Sequence, residues 1–564
     1  MTEVEKAAGD EEILKTWRDA PAPLLPLLHA FQERDGHLSP EVLEKIGRTL
    51  RIPAAELHGT VSFYHHLFLE APGNRRPRVC DGPICRLHGS TALLSELADR
   101  GARPMACAGR CDQPIPVLAG GRLLIGACAE DLAERPSPLP PPPAEHLEEC
   151  VFRHIRSPGR ATLEGYRRTG GYEALLAAAR RGRPLEIIAA VEASGLAGRG
   201  GAGFPTARKW SAVREAPGDP KTVVCNADEG EPGCFKDRAL LDHDPHAVIE
   251  GMVLCALATG ATRGFIYLRY EYPQTLEILR RALREAEEAG LIGEDAAGSG
   301  REVRIHLRRG AGAYICGEET SLLNSLEGRH PFPRNRPPYP VTNGFEDLPT
   351  VVNNVETLAA VPQILRKGPD WYAGLGRGAE RGTKVISLSG DISRPGNYEV
   401  PLGLPLREVL EDLAGGPPPG RSIQAVTMAG LSGGFLGAGD LDVTLDETSL
   451  RSRGSFLGAG GIMVFDDTRD MVDVAHQAMS FFASESCGKC FPCRIGTWRL
   501  KERLGGEAGP PSREEWEAEV REVGQVMKAA SACGLGTAAP LVSDSLLRLF
   551  PEGIAARFDG SGRE

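Results

Sequence analysis

The stretch ESCGKCFPCRIGT, residues 485–497, places three cysteines at C-x2-C-x2-C spacing: Cys487, Cys490 and Cys493. Three thiolates are one ligand short of a closed four-ligand metal site. Cys533, in SACGLG and beyond a predicted helical segment, is the candidate for the fourth. Three clustered cysteines with one remote partner are typical of a [4Fe–4S] cluster. Structural zinc sites also use C-x2-C, so zinc remains the alternative, although zinc more often takes its ligands as two pairs.

A second group of cysteines, nearer the N-terminus, has a different spacing. Cys80 and Cys85 form C-x4-C, and Cys107 and Cys111 form C-x3-C. Two pairs on two loops predict a [2Fe–2S] cluster in which each pair holds one iron. The alternative is four unrelated cysteines. The remaining cysteines are predicted to be single buried residues: Cys128, Cys150, Cys225, Cys234, Cys255 and Cys316.

Length and composition indicate a multidomain globular protein. A chain of 564 residues exceeds what a single core usually holds, so about three to five domains are expected. The net charge of −11 argues against a nucleic-acid-binding protein. The acidic start, MTEVEKAAGDEE, lacks the apolar region of a secretory signal, and no apolar run reaches the roughly 18 residues of a membrane span. We therefore predict a cytoplasmic protein without direct membrane insertion.

Changes of pattern along the chain predict the domain boundaries. Ser39-Pro40 is typical of a helix start, and PSPLPPPPAEHLEE is typical of a stiff linker. The stretches TVVCNA, GFIYLRY and VRIHL are strand-like, and PQTLEILRRALREAEEAG is an amphipathic helix closed by Gly290. KVISLSGDISRPGNYEV predicts two strands around a turn, followed by a short helix in PLREVLEDLAGG. The predicted units are an N-terminal helical segment (1–75), a [2Fe–2S] domain (76–135), the linker (136–149), an α/β domain (150–383), a small β-plus-helix domain (384–468) and a helical [4Fe–4S] domain (469–564).

A glycine-rich stretch, GLAGRGGAGFPTARKW, runs from Gly195 to Trp210. It matches neither a P-loop nor a G-x-G-x-x-G fingerprint. Glycines nevertheless let backbone N–H groups approach phosphate oxygens, and Arg199 and Lys209 supply positive charge. The stretch is therefore a candidate anion site, with a flexible surface loop as the alternative.

Two acidic stretches and one polar stretch are further binding candidates. CNADEGEPG contains Asp228, Glu229 and Glu231, and YICGEET contains Glu318 and Glu319. Carboxylates repel phosphate but accept hydrogen bonds from ribose, ribityl or carboxamide groups. The alternative for either stretch is a solvated acidic turn. In TVVNNVET, Asn353 and Asn354 are either helix caps or ligand contacts.

Taken together, these motifs resemble those of a known family. GRGGAGFPT…KW, NADEGEPG, GAYICGEETSLLNSLEG, PT…NNVET and SCGKCFPCRIGT…ACGLG occur in this order across residues 195–536. They resemble the NADH-binding flavoprotein subunit of respiratory complex I. The region before the linker resembles the small [2Fe–2S] subunit of the same complex, so the chain is similar to two such subunits fused end to end.

The resemblance implies a thioredoxin-like [2Fe–2S] domain, a Rossmann-like FMN/NADH domain, a ubiquitin-like β-grasp domain and a C-terminal helical bundle with the [4Fe–4S] cluster. The implied cradle for the FMN phosphate and ring consists of Gly198, Arg199, Gly200, Gly201 and Lys209. The rest of the FMN pocket consists of Asn226, Asp228, Glu229, Tyr314, Gly317, Glu318, Asn353, Asn354 and Thr357. NAD(H) would stack over the flavin near Phe204, Glu231, Glu319 and Tyr339. The implied ligands of the [4Fe–4S] cluster are Cys487, Cys490, Cys493 and Cys533.

The sequence departs from the family pattern at two places. Only 21 residues separate Cys85 from Cys107, where the small subunit has a longer insert, so the cluster domain is expected to be trimmed. RPPYP, residues 336–340, replaces the Lys and Phe of relatives. Because Arg336 keeps the charge and Tyr339 keeps an aromatic face, nucleotide binding is expected to survive.

The resemblance implies a diaphorase, which moves hydride between NAD(H) and FMN and single electrons to iron–sulfur clusters. No catalytic proton donor is predicted. Fused chains of this kind resemble the β subunit of cytoplasmic, Mo- or W-dependent formate dehydrogenases, so the predicted partner is a large catalytic α subunit with further clusters. The alternatives are a subunit of an NAD-reducing hydrogenase or of a complex I-like dehydrogenase, and, from another class, a zinc-bearing scaffold without redox activity.

Overall fold

The computed structural model describes residues 3–506 and 512–558, beginning with a run of helices. These are α1 (Glu3–Trp17), α2 (Leu24–Asp35), α3 (Pro40–Leu50) and α4 (Ala54–Phe63). The Ser39 hydroxyl accepts a hydrogen bond from the Val42 N–H at 3.4 Å, which confirms the predicted start of α3. Helix α4 ends at Phe63, so the helix predicted through HGTVSFYHHLF is shorter than expected.

A small mixed sheet carries the N-terminal cysteines. Its strands are β1 (Arg78–Cys80), β2 (Arg103–Met105), β3 (Pro116–Ala119) and β4 (Arg122–Ile125), in the order β2-β1-β3-β4. Helices α5 (Pro83–Leu87) and α6 (Ser90–Glu96) follow β1. Strands β1 and β2 are parallel, whereas β3 is antiparallel to both β1 and β4. Residues 136–144 then run without helix or strand, as the proline content predicts.

The central α/β domain contains a parallel sheet in the order β7-β6-β5-β8. Its elements in chain order are α7 (Leu163–Arg167), α8 (Glu173–Arg181), α9 (Pro184–Ser194), α10 (Thr206–Glu215), β5 (Thr222–Ala227), α11 (Lys236–His243), α12 (Pro245–Thr259), β6 (Arg263–Leu268), α13 (Pro273–Glu288), β7 (Arg304–Arg309), α14 (Glu319–Leu326), β8 (Thr350–Asn354), α15 (Val355–Lys367) and α16 (Pro369–Ala373). The three predicted strands and the helix before Gly290 are confirmed. Strand β8 was not predicted, because its two asparagines interrupt the apolar pattern.

The N-terminal helices cover one face of this sheet. Val224 and Phe265 share a core with Leu28 and Phe31 of α2. The alternate residues of the strands, such as Val223 of β5, belong to the core on the opposite face. Because side chains alternate across a strand, each face needs its own cover. Segment 24–67 therefore supplies one layer of the central domain.

A third sheet follows, in the order β10-β9-β13-β11-β12. Its elements are β9 (Thr383–Gly390), β10 (Gly396–Pro401), β11 (Ile423–Thr427), β12 (Phe435–Gly437), α17 (Glu447–Ser452) and β13 (Gly461–Asp466). Strands β9 and β10 form the predicted antiparallel hairpin. The predicted helix after them is a π-helical segment, Glu408–Leu413.

The last part of the chain is helical, as predicted. It contains α18 (Met471–Glu485), α19 (Phe491–Leu504), α20 (Arg513–Ala530), α21 (Gly534–Ala538), α22 (Pro540–Leu549) and α23 (Pro551–Phe558). Within the described residues, none of the helices has both the length and the apolar character that a bilayer span requires.

Candidate functional site: a crevice beside four thiols

The order of the parallel strands creates a crevice between β5 and β8. Chain progression runs outward from β5 through β6 to β7 and then returns to β8 on the other side of β5. At the carboxyl ends of the two strands, Asn226 lies in register opposite Asn354. Ligands of open α/β sheets bind outside such a switch point. The strand order therefore identifies this crevice as the candidate binding site.

The glycine-rich loop lies against the β8 side of the crevice. The Arg199 N–H donates to the Thr357 hydroxyl at 2.9 Å. A Cβ added to Gly200 would stand 3.0 Å from the Asn354 Cβ, so no larger side chain fits without movement of that residue. Gly201 has φ +126°, which other residues rarely adopt. The Gly198 N–H closes the loop by donating to the Phe204 carbonyl at 2.9 Å.

A buried cluster of charges lies behind the loop. Lys236 Nζ is 2.6 Å from Asp237 Oδ1 and 2.9 Å from Glu356 Oε2. Lys384 Nζ is 2.6 Å from the same Glu356 oxygen and donates to the Arg199 carbonyl at 3.2 Å. Counting Arg199, three cations face Asp237, Glu356 and a third carboxyl group, Glu229, whose pKa burial raises to about 7, so that it is only partly ionised at neutral pH. The surplus positive charge favours an anion at the loop.

The pKa values in this cluster follow from burial and charge. Burial alone would raise the pKa of Glu356, but the charges of Lys236, Lys384 and Arg199 outweigh it and lower the pKa to about 2. Burial lowers the pKa of Lys384 to about 8, against the opposing effect of Glu356. The cluster is therefore cationic at neutral pH.

The two basic residues predicted in the loop point in different directions. The Arg199 guanidinium is buried and donates to the Tyr372 hydroxyl at 2.8 Å, and its Nε lacks a partner among the described residues. Lys209 Nζ lies 3.0 Å from Glu319 Oε2 and donates to the Val352 carbonyl at 3.1 Å. Lys209 thus connects the β8 side of the crevice to the acidic side.

The acidic side of the crevice is built by the residues after β5 and by α14. Asn226 Nδ2 donates to the Gly317 carbonyl at 2.8 Å. Glu318 caps α14 by accepting from the N–H groups of the next turn. Asp228 is half-buried, and its inaccessible Oδ2 has no partner among the described residues. Burial raises the pKa of Asp228 well above its usual range, so the neutral carboxyl can donate as well as accept.

Three predicted residues face other parts of the protein. Glu229 accepts from the N–H groups of Asp237 and Arg238 at 2.9 and 3.1 Å, so its carboxylate serves the first turn of α11. Glu231 accepts from the Tyr314 hydroxyl and, at 2.8 Å, from the Ser432 hydroxyl. The bond with Ser432 joins the central domain to the domain of the third sheet. Asn353 accepts from the Trp210 indole N–H at 2.8 Å and is not a helix cap. Asn354 caps α15 as the cap interpretation predicts.

The two aromatic residues predicted to lie near the bound NAD(H) are both solvent-accessible. Phe204 is 47% exposed and Tyr339 is 53% exposed. Near Tyr339, Arg336 approaches Glu318 at 3.5 Å and Glu319 at 3.6 Å. The rim of the crevice therefore combines two exposed aromatic side chains with a charged group.

The four C-terminal cysteines, Cys487, Cys490, Cys493 and Cys533, line one pocket. Cys490 immediately precedes α19, and Cys533 immediately precedes α21. Gly488 has φ +76°, which allows the sharp turn between the first two cysteines. Ile315 closes the pocket from the segment that leads into α14. The fourth cysteine thus joins the first three as predicted, and the four thiols are a donor set suited to an iron–sulfur cluster.

The N-terminal cysteines also come together, and all four are buried. The Sγ atoms of Cys107 and Cys111 are 3.5 Å apart. Cys80 interacts with Cys85 and Cys107, and these neighbours and burial raise its pKa well above the usual range. Within residues 3–506 and 512–558, no three His, Cys, Asp or Glu side chains close around a single metal ion.

Arginines of the central domain hold the second cysteine pair. Arg238, in the first turn of α11, is 2.6 Å and 2.7 Å from the two Asp112 oxygens and donates to the Gly109 carbonyl at 3.1 Å. Arg269 donates to the Cys107 carbonyl at 2.7 Å. The loop 107–112 is therefore packed into the central domain rather than free on its own sheet.

Sequence reasoning missed Lys236, Asp237, Glu356, Lys384 and Ser432. Lys384 lies on β9, in the domain that follows the central one. Only folding brings it next to Glu356 and the glycine-rich loop. Glu356 stands inside the quoted NNVET motif, and a count of charges there could have identified it. The unpartnered Asp228 oxygen, the close approach at Gly200 and the cationic cluster together fit a phosphate-bearing cofactor.

Four family descriptions match the chain, in the order of its domains. Residues 10–107 match the thioredoxin-like [2Fe–2S] ferredoxin family, and residues 191–363 match the Nuo51 FMN-binding domain. Residues 385–435 match the SLBB domain, and residues 473–557 match the iron–sulfur binding region of NADH-ubiquinone oxidoreductase-F. The chain therefore has an FMN-binding domain, a [4Fe–4S] region and a [2Fe–2S] domain, with NAD as the substrate in this family.

Individual relatives agree with these matches. An NADH-quinone oxidoreductase subunit of Rhizobium meliloti (strain 1021) is 47% identical over 364 residues, covering 64% of this chain and 86% of the relative. The NAD-reducing hydrogenase HoxS subunit alpha of Cupriavidus necator is 35% identical, and the match covers 96% of this chain and 92% of the relative. A crystal structure of an NAD+-reducing [NiFe]-hydrogenase in the H2-reduced state superposes with a TM-score of 0.80 at 33% identity. The match covers 96% of this chain and 94% of the chain in that structure. The chain belongs to the family of complex I-type FMN-binding subunits, in a form that also contains the [2Fe–2S] thioredoxin-like domain.

Proposed function

We propose that this chain is the diaphorase subunit of a larger redox complex, exchanging hydride with NAD(H) at the crevice and single electrons at the C-terminal cysteines. FMN, when bound, supplies the conversion between two-electron and one-electron chemistry. The observation that carries the proposal is that one short segment serves both sites. Ile315 lines the cysteine pocket, and two residues later Gly317 accepts from Asn226 in the crevice.

The residues of the crevice have separate roles in this proposal. Gly200 and Gly201 let the loop backbone approach the FMN phosphate, which the cation cluster stabilises. Asp228 offers a hydrogen bond to the ring or ribityl chain from its unpartnered oxygen. Phe204 and Tyr339 provide faces on which a nicotinamide nucleotide stacks. The chain binds and orients the cofactor and the nucleotide and excludes water from between them. No proton donor is assigned.

An exposed apolar stripe on α19 supports electron transfer to a partner at the C-terminal cysteines. Phe491 is 78% exposed, Ile495 59% and Trp498 50%, and their spacing places them on one face of the helix. Trp498 and Cys487 line the same surface depression. Large exposed apolar groups of this kind are typical of protein interfaces. We propose that the α19 stripe docks an iron–sulfur partner.

The identity of the catalytic partner is a finer proposal. The sequence prediction is the α subunit of a Mo- or W-dependent formate dehydrogenase. A specific observation favours the hydrogenase alternative, because two relatives that match nearly the whole chain are named as NAD-reducing hydrogenases. Purification of the native complex with metal analysis separates the two: molybdenum or tungsten supports the first, and nickel supports the second.

The diaphorase proposal is tested by NADH oxidation with an artificial electron acceptor. Replacing Phe204 by Ala is expected to raise KM for NADH by about tenfold, because a stacking contact contributes about 1–3 kcal/mol. Leu185→Ala is the control, since Leu185 is also exposed but lies on α9, outside the predicted pocket. Protein that contains FMN but oxidises no NADH, or equal KM values in both variants, would contradict the proposal.

A further inference from the structure

A second cavity, of about 410 Å³, lies between the cysteine sheet, the central domain and helices α18 and α19. It shares Asp228 and Tyr314 with the predicted flavin pocket, but neither the glycine-rich loop nor β8 lines it. It therefore lies on the other side of the segment that follows β5. Neither the proposed activity nor the family matches assign it a ligand.

Four cations, Arg78, Arg86, Arg269 and Lys501, and four carboxyl groups, Asp81, Asp228, Glu271 and Glu485, line this cavity. Arg86 is paired with Asp81 at 2.7 Å, and Arg269 with Glu271 at 3.1 Å. Each of these pairs is locally neutral. Two further lining histidines are also matched with carboxylates, His65 with Glu485 at 3.3 Å and His66 with Glu271 at 3.1 Å.

Two lining cations remain without a carboxylate partner among the described residues. Arg78 donates to the His65 carbonyl at 2.5 Å, its Nε has no partner, and its guanidinium lies 4.7 Å from the Phe68 ring. Lys501 lies 4.4 Å from the Trp498 ring, so its ammonium is matched by an aromatic face rather than a carboxylate. Both side chains are half-buried. Asp228 is the lining carboxyl outside these pairs, and burial raises its pKa well above the usual range, so it stays neutral and does not compensate the two cations. In a chain with a net charge of −11, this local surplus is notable.

The cavity also offers neutral donors. Ser480 and Ser484 of α18 line it on the side of Lys501. A guanidinium, an ammonium and hydroxyl groups around one polar space are the groups that recognise phosphate. We propose that this cavity is a binding site for a phosphate group, with Arg78 as the main ligand and Lys501 as the second cation.

Binding at this site has a consequence for the N-terminal cysteines. Residues 104–107 form part of the cavity wall, so the ligand lies beside Cys107. The reduction potential of an iron–sulfur cluster depends on nearby charge, and an added negative charge disfavours the reduced form. Bound phosphate therefore lowers the reduction potential of the [2Fe–2S] cluster.

The test uses the full chain with its clusters, saturated with FMN so that the glycine-rich loop is occupied. Inorganic phosphate and glycerol 2-phosphate are titrated by calorimetry in a phosphate-free buffer. We expect saturable binding, weakened about tenfold or more by Arg78→Gln, because a hydrogen bond to a charged group contributes about 1.5–3 kcal/mol. Tighter binding of the ester identifies a phosphomonoester ligand, and equal or tighter binding of inorganic phosphate identifies the free ion; both outcomes support the site.

The matched control is Arg103→Gln, since Arg103 lies opposite Arg78 in the register of β1 and β2 but does not line the cavity. It is expected to bind phosphate as the wild type does. Lys501→Met, with an expected loss of about threefold to tenfold, replaces Arg78→Gln if that variant does not fold. A redox titration of the [2Fe–2S] cluster by EPR should show a phosphate-dependent shift to lower potential in the wild type and in Arg103→Gln, and a weaker shift or none in Arg78→Gln. Absence of saturable binding, or equal binding by all variants, overturns the proposal, whether or not the chain oxidises NADH.

Discussion

The two groups of four cysteines differ in how they meet the solvent. The N-terminal four are all buried, whereas Cys487, Cys490 and Cys533 of the C-terminal group are partly exposed. The buried group is held from the flavin side by Arg238 and Arg269, with hydrogen bonds to Asp112, Gly109 and Cys107. The open group lies beside the apolar α19 stripe, Phe491, Ile495 and Trp498.

This difference indicates which group exchanges electrons with a partner. A cluster enclosed on all sides by its own chain can exchange electrons only with a centre inside that chain. A cluster at the surface, next to an exposed apolar face, is accessible to another protein. We therefore propose that the C-terminal group lies on the main electron route and the N-terminal group on a side branch.

Cysteine replacement tests this assignment most severely. In Cys533→Ser, we expect loss of the [4Fe–4S] EPR signal and of electron transfer to the partner, while NADH reduces an artificial acceptor directly. In Cys111→Ser, we expect loss of the [2Fe–2S] signal with electron transfer to the partner retained. Cys128→Ser, outside both groups, is the control for thiol removal. Loss of partner reduction in Cys111→Ser would place the buried group on the main route.

The buried ion pair that holds the N-terminal group predicts the next largest effect. Arg238→Met leaves Asp112 buried without its partner, and breaking such a pair costs about 3–5 kcal/mol. We expect faster hydrogen exchange in residues 105–115 and partial loss of the [2Fe–2S] signal. Arg86→Met is the matched control, because the Arg86–Asp81 pair is partly exposed and contributes about 1 kcal/mol or less. Equal effects of both variants would show that the loop does not depend on the central domain.

The sequence predicted the chemistry of this molecule better than its assembly. Cysteine spacing predicted both cysteine groups, since ligand geometry requires short local motifs. The motifs of the crevice were also found, but the directions of Glu229 and Glu231 were not. Both stand in one acidic run, yet one serves the first turn of α11 and the other accepts from Ser432 in the third domain. Such partners come from distant parts of the chain, and no local pattern encodes them.

The same limit applies to the fold. Strand-like apolar stretches predicted β5, β6 and β7, but β8 ends in two asparagines, of which Asn353 bonds to Trp210 and Asn354 caps α15. The sequence also did not indicate that α2 covers the central sheet, because an amphipathic helix shows that it has a buried face without showing what lies against it. Lys384 is the clearest example for the site, since its role depends on the contact between β9 and the glycine-rich loop.

A substitution in the α19 stripe tests whether a partner docks beside the C-terminal cysteines. Trp498→Glu places a charge in the proposed interface, and loss of a central aromatic contact costs about 2 kcal/mol, or roughly a thirtyfold weaker Kd for the partner. Affinity is measured by surface plasmon resonance with the purified partner. Leu185→Glu changes a similarly exposed side chain on α9 and should have no effect. Unchanged affinity in Trp498→Glu would remove the α19 stripe from the interface.

The smallest expected effect concerns the linker between the cysteine sheet and the central domain. Burial, and then the charge of Glu399, raise the pKa of Glu149 from 4.5 to about 7. The folded chain therefore keeps a proton that the unfolded chain releases. The stabilisation is complete below pH 4.5 and is lost as the pH rises through 7. Between pH 5.5 and 8 the loss is on the order of 1–2 kcal/mol, or about 1–3 °C in Tm.

Glu149→Gln removes this titration and isolates its contribution. The difference in Tm, variant minus wild type, is expected to increase as the pH rises from 5.5 to 8, because only the wild type must bury a charge. Glu145→Gln, an exposed position in the same linker, should show a constant difference. A constant difference for Glu149→Gln as well would mean that the linker carboxylate stays ionised and paired with Arg156 throughout. In that case a permanent ion pair, rather than a protonated carboxyl, anchors the linker that connects the buried cysteine group to the rest of the chain.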